Sequence, residues 1–360
     1  MPLFGKHIER LPDAGAEGAA RPAPVDFTAR RDRVGKYLKK YAECFVFDTL
    51  SEDFLSRVGS AFMRDVPIPL GEADLAAFRS REGLPVMRIG ENMARVLGAS
   101  PSFPHAGAYI EFLRRAAGGR AAAGLVREAK DAAERTEYEE ACLRFRAALC
   151  LEPQDLAAMY GYARVCRAIY LAAEDGERVG LFKAEALEYF ELTAEAHPRF
   201  PQAHYYLGYA YLNMGLYQKA WLTWKQYLEH SSHPADRREI KERMRQLADP
   251  LEIERGYNAV LAGRFAEGLA ALEPYLESKY NDWWPLYYYL GVACISLDRR
   301  DEAVDMFKRA LRLNPSHVES MRELADIYEI DGEKEFSAKY RKKAALIESG
   351  GHAQRSEEND

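Results

Sequence analysis

Four stretches of this 360-residue chain place small and aromatic residues at one fixed set of offsets, and that spacing restricts the fold more than anything else in the sequence. From Gly208, Tyr211 follows at three residues, Ala220 at twelve, Trp224 at sixteen and Tyr227 at nineteen. Gly291 repeats these offsets with Cys294, Ala303, Phe307 and Ala310, and adds Pro315 at twenty-four. Ala129 gives Ala132, Ala141, Phe145, Ala148 and Pro153; Gly256 gives Ala259, Gly268, Leu272 and Tyr275. The starting points recur as well. Ala129 to Ala163 and Gly291 to Ala325 are 34 residues each, Gly256 to Gly291 is 35, and gaps of 45 and 48 flank Gly208. Small residues are needed where two helices cross closely, and aromatics fill the space beside the crossing. One helix pair cannot bury its apolar face alone, so such units stack on one another.

The pattern resembles the tetratricopeptide repeat, whose period is about 34 residues. The resemblance runs from about Ala121 to Ile347. It implies an all-α fold: a right-handed α-solenoid of antiparallel helix pairs, the TPR superhelix, after an irregular helical N-terminal region. The array is expected over residues 119–348 as about six helix pairs. Insertions fall near 171–181, read as a charged turn between paired helices, and near 231–248, read as an extended or additional charged helix. In the last unit Ala325 and Tyr328 fit, while Ser337 and Arg341 replace the small and aromatic residues, as suits a polar terminal cap.

In this family the first helix of each pair lines a concave groove that holds a partner segment. Carried over residue by residue, the groove positions are Tyr160, Arg164, Tyr205, Tyr206, Tyr209, Asn213, Tyr257, Tyr288, Tyr289 and Arg322. Tyrosine offers large apolar area, a polar tip and few rotors to freeze. Aromatics at helical spacing also serve simply as packing between repeats. Some family members clamp the C-terminal carboxylate of chaperone tails with Lys, Asn and Arg; here those places hold tyrosines, Gly161, Glu254 and Pro285, which disfavours that partner. The resemblance thus implies a protein–protein interaction scaffold or adaptor that binds another protein or peptide segment. Two alternatives stay open: an array autoinhibited by its N-terminal helices, and an accessory subunit that binds RNA or an enzyme partner.

The flanks read differently. Residues 1–31, rich in Ala, Gly, Pro and Arg, are expected as a flexible tail, and 349–360 as a polar one. Residues 32–118 read as helical, without a repeat or an assignable family. Tyr37, Tyr41, Phe45 and Thr49 recur at four-residue steps, and Pro67 and Pro69 stop what precedes them. Helices are expected from Glu72 to Ser80, from Val86 to Leu97 with Gly98 as a left-handed stop, and from Tyr109 to Ala116.

Composition and motifs restrict the chemistry. The formal net charge of -6 disfavours a nucleic-acid partner. No run approaches the roughly 18 apolar residues that span a bilayer, so no membrane partner is expected. The N-terminus does not read as a secretory leader. There are five cysteines and no CxxC pair; three fall where a helix wants a small buried residue and read as core thiols in a reducing compartment, which makes the expected location cytoplasmic. His230 and His233 lack a completing ligand, so neither metal nor cofactor is expected. The basic stretch Arg30, Arg31, Arg33, Lys36, Lys39 and Lys40 offers contact to an acidic partner or a nucleic acid, but reads rather as a disordered-to-helix junction with exposed lysines, and 237–243 as a mixed-charge solvated face. No GxSxG, P-loop, GxGxxG or HExxH is present, so no enzyme and no catalytic residues are expected.

Overall fold

A computed structural model describes residues 27–58, 60–80 and 83–357, so most of the expected first tail, 1–26, and residues 358–360 lie outside the described residues. The N-terminal region contains α1 (Gly35–Leu38), α2 (Lys40–Glu43), β1 (Val46–Thr49), α3 (Glu52–Val58), β2 (Pro67–Leu70), α4 (Leu75–Arg79), α5 (Val86–Ala99) and α6 (Ala106–Ala116). The remainder is helical: α7 (Ala121–Glu134), α8 (Tyr138–Leu151), α9 (Leu156–Ala172), α10 (Gly176–Ala196), α11 (Pro201–Asn213), α12 (Tyr217–His230) and α13 (Pro234–Gln246). Then follow α14 (Ala248–Leu261), α15 (Phe265–Leu272), α16 (Trp284–Ser296), α17 (Arg300–Leu313), α18 (Val318–Ile330) and α19 (Lys334–Glu357). The last helix therefore takes in most of the expected C-terminal tail. Two compact units form, one ending at Ala210 and taking in Gln226–Ser231, the other made of Tyr211–Lys225 and the chain from Ser232 on. In the first, α7 to α10 pack in succession; in the second, α14 to α19 do.

The repeat offsets explain where the first helices end. Seven residues after five of the six repeat starts stands a residue in the left-handed region: Thr136 (φ 63°), Gly215 (73°), Gly263 (76°), Asp298 (60°) and Gly332 (80°). That conformation turns the chain out of one helix and into the next. The repeat starting at Ala163 lacks such a residue, since Tyr170 lies within α9. Consequently α9 runs on; the charged turn expected near Glu174 lies between α9 and α10 at residues 173–175, and the rest of the first insertion becomes extra length in those two helices. The second helix regains register later. Ala186, Phe190, Thr193 and Pro198 precede Gly208 by the same 22, 18, 15 and 10 residues that separate Ala303, Phe307, Ala310 and Pro315 from Ala325. The second insertion is α13, capped by His233 and burying Ile240.

Three expectations for residues 32–118 need correction. The four-residue steps from Tyr37 end at Cys44, and Val46–Thr49 pairs with Pro67–Leu70 as a two-stranded antiparallel sheet. Pro67 and Pro69 do not stop a helix; they sit in the strand, where a missing N–H is harmless on an outer edge. Gly98 is no left-handed stop, because α5 continues through Ala99. A Cβ at Gly98 would lie 2.1 Å from the Leu143 carbonyl oxygen, so the glycine admits α8 at close range.

Residues 27–41 are held to the repeats. The Phe27 ring lies 6.0 Å from those of Tyr162 and Tyr189, Tyr37 lies 5.8 Å from Phe182, and the Tyr37 hydroxyl donates to Asp175 (3.2 Å). The lysines are exposed as expected, yet Lys36 pairs with Glu177 and Lys40 with Glu139, while Arg30 and Arg33 pair with Glu188. Beneath them Arg146, 1% exposed, donates to Asp32 (2.5 and 3.0 Å) and to the Gly98 carbonyl (2.6 Å). The extra turns of α10 thus form the seat for this segment.

Candidate partner-binding groove

On α9 and α11 the first-helix positions carry half-buried rings packed by their edges. Tyr160 meets Phe200 edge-on at 4.9 Å, and its hydroxyl accepts from Arg164 (3.0 Å). Tyr206 stacks on Phe190 (5.3 Å, 14°), while the guanidiniums of Arg164 and Arg167 stand 4.6 and 5.4 Å from its centroid. Tyr205 lies 5.2 Å from both Tyr206 and Tyr209. Asn213 is exposed near the end of α11. Tyr160 and Arg164 alternate along α9 with Tyr162, whose ring faces Phe27. The docked N-terminal segment therefore covers side chains on another face of that helix.

The second unit repeats the arrangement. Tyr257 stacks on Tyr289 (5.1 Å, 22°), and Tyr289 meets Tyr288 edge-on at 5.3 Å. Tyr288 packs on Phe307 (6.1 Å) and on the His317 ring (4.8 Å), which also lies 4.2 Å from Trp284. Arg322 pairs with Glu348 on α19. Burial raises the phenol of Tyr257 to about 12, with Glu254 adding to it, and raises those of Tyr160, Tyr288 and Tyr289. All four keep their hydroxyl proton near neutral pH.

Trp284 and His317 escaped the sequence reading. A signal existed: His317 stands eight residues before Ala325, as Asp155 stands eight before Ala163, and both cap the helix that follows. His317 Nδ1 accepts from the Ser320 amide (3.2 Å), so that nitrogen carries no proton. Burial lowers the pKa of His317 against the pull of Glu319, and burial likewise lowers that of His204, whose Nε2 donates to the Pro198 carbonyl (2.9 Å). A histidine depressed in the fold stabilises it fully above the unfolded pKa of about 6.5 and loses that contribution as pH falls below it. The melting temperature is therefore expected to drop between pH 7.5 and 5.5. His317→Asn keeps a capping side chain but cannot titrate, so its drop should be smaller. Melts across that range check this, and an unchanged slope would exclude His317 as the titrating group.

Among the described residues no cluster of His, Cys, Asp and Glu could hold a metal, and no helix is long and apolar enough to cross a membrane. Cys44 is exposed, while the other four thiols are buried. The stacked helix pairs, with their shared offsets and turns, define an all-α array of tetratricopeptide type. Tetratricopeptide-repeat family models match residues 182–228 and 284–317, so the chain carries tetratricopeptide repeats. Solved structures similar to it include MamA from Desulfovibrio magneticus RS-1, 20% identical over 52% of this chain and 96% of that one, with a TM-score of 0.31. YrrB, described as a TPR protein with an unusual peptide-binding site, is 19% identical over 55% and 88% (TM-score 0.29). The P58(IPK) TPR domain is 15% identical over 75% and 74% (TM-score 0.41). No curated protein matches the chain.

Proposed function

We propose that the chain is a non-catalytic interaction scaffold that holds a segment of another protein against the tyrosines of its first-helix faces. The observation that carries this reading is the set of half-buried rings, held by neighbouring rings with one side open, on first helices of both units. Rings fixed in this way lose little freedom on binding, which is what makes tyrosine an efficient contact residue. Arg164 and Arg167 beside Tyr206 suit an acidic side chain in the bound segment.

Affinity capture with mass spectrometry, followed by titration of the captured segment, tests the proposal. Truncating a central aromatic contact costs binding about 2 kcal/mol, or about 30-fold in Kd. Tyr289→Ala is expected to show that loss while changing stability by less than about 1 kcal/mol, since its ring is only half buried. Unchanged affinity in both Tyr289→Ala and Tyr206→Ala would move the binding face elsewhere.

A further inference from the structure

Many tyrosine rings of this protein are faced by a cation of its own chain. In the second unit Lys279 stands 5.1 Å from the Tyr280 centroid, Lys308 5.8 Å from that of Tyr328, and Arg309 5.6 Å from that of Tyr287. In the first unit Tyr206, two residues before Gly208, carries the two guanidiniums of Arg164 and Arg167. Tyr289 holds the same place before Gly291, yet among the described residues no cation faces it, Tyr288 or Tyr257. Their neighbours are other rings and carboxylates.

The carboxylates beside Tyr288 come from α18. Glu319 and Glu323 are one turn apart, so they share a face of that helix, and both act on the Tyr288 phenol. Glu319 lies 3.2 Å from His317 Nε2, and the His317 ring packs on Tyr288. Glu323 is half-buried and, among the described residues, has neither an ion pair nor a hydrogen bond. Burial raises its pKa, Asp326 adds to the rise, and no cation of the chain opposes them. Asp326 is itself paired with Arg341 (2.9 Å), and Arg322 is turned to Glu348. A carboxylate already stripped of part of its water gains most from a cation that arrives with a ligand.

Building on the first-helix face as the binding surface, we propose that its part in the second unit takes a cationic side chain of the bound segment, lysine or arginine. The cation lies between the Glu319 and Glu323 carboxylates and beside the Tyr288 ring. The ring attracts it through its quadrupole, and the carboxylates supply the opposite charge. A guanidinium is planar and carries several donors, so it can reach both carboxylates while it lies against the ring. An acidic side chain, which Arg164 and Arg167 suit in the first unit, is repelled here.

N-acetyl-arginine methylamide and its uncharged isostere, N-acetyl-citrulline methylamide, test this on the full chain carrying isotope-labelled tyrosine. NMR follows the Tyr288 ring resonance, identified by its loss in Tyr288→Phe. The arginine compound should shift it with a Kd of about 1–30 mM, and the citrulline compound should bind at least about tenfold more weakly. Glu319→Gln and Glu323→Gln should each weaken the arginine compound about threefold, while Glu335→Gln, an exposed change on α19, should leave it unchanged. No shift up to about 100 mM, equal binding of the two compounds, or indifference to both Glu319→Gln and Glu323→Gln overturns the proposal. The captured segment separates this site from the groove as a whole. A segment lost in Tyr206→Ala and Tyr289→Ala but held undiminished by Glu323→Gln would keep the groove and overturn the cation site. Arginine binding at Tyr288, with capture indifferent to both tyrosine variants, would keep the cation site and remove the groove.

Discussion

Asp32→Ala is expected to destabilise the first unit by about 3 kcal/mol, the lower end of the range for breaking a buried ion pair. Arg146 is 1% exposed and cannot shed its charge, since a guanidinium stays protonated at any ordinary pH. Without Asp32 it would keep the Gly98 carbonyl (2.6 Å) and the Tyr162 hydroxyl oxygen (3.3 Å), but lose both carboxylate bonds. Glu185 offers little relief. Burial raises its pKa against the pull of Tyr162 and Arg146, so its charge is itself held at a cost. The lower end applies because the Asp32 side chain is 25% exposed, and water can partly replace it. Removing both partners should cost much less: Asp32→Ala with Arg146→Met leaves no orphaned charge, and the methionine fills part of the vacated volume. The four tryptophans, at 221, 224, 283 and 284, all fall in the second unit, so their fluorescence does not read this change. Hydrogen exchange of α8 and α9 amides does. A loss under about 1 kcal/mol in the single variant would mean that the guanidinium is solvated. The exposed pair Lys36–Glu177 serves as a control, since such a pair contributes at most about 1 kcal/mol.

That buried pair also marks the limit of what the sequence discloses. Gly208, Gly291 and Ala325 were legible because a repeat is self-referential: each copy calibrates the others. The left-handed residue seven positions on was equally available at Gly215, Gly263 and Gly332, and its absence at Tyr170 predicts the long α9. Gly98 misled because glycine answers two needs, a positive φ and a missing Cβ, and composition does not separate them. The strand Pro67–Leu70 was hidden because proline opposes both helix and strand, and only an outer edge sealed by Asn92 and Tyr109 makes it acceptable. Asp32 and Arg146 are 114 residues apart, outside any period, and neither residue type suggests the other. The groove positions could be numbered from the repeat alone. Which rings touch, and that Arg322 turns to Glu348, depend on packing that no spacing encodes.

Phe307→Ala is expected to carry the larger loss, about 3–5 kcal/mol, because the ring is wholly buried and its removal leaves a cavity beside Gly291. Gly291→Ala acts on the same contact from the other side. A Cβ there would stand 2.6 Å from the Phe307 ring, so the ring or the helix crossing must shift, at about 1–3 kcal/mol. Elsewhere in a helix the same change usually gains about 1 kcal/mol, which makes a loss here diagnostic of the close crossing. In the double variant the new methyl enters space that the ring has vacated. The overpacking cost then disappears and a little of the cavity is filled. The two changes together should therefore cost about 1–3 kcal/mol less than the sum of the single changes, well beyond the few tenths seen for separate sites. Urea unfolding followed by the fluorescence of Trp283 and Trp284, at the start of α16, measures all four corners of the cycle. Strict additivity would mean that position 291 and Phe307 do not meet, and the repeat register that places every first-helix tyrosine would be wrong with them.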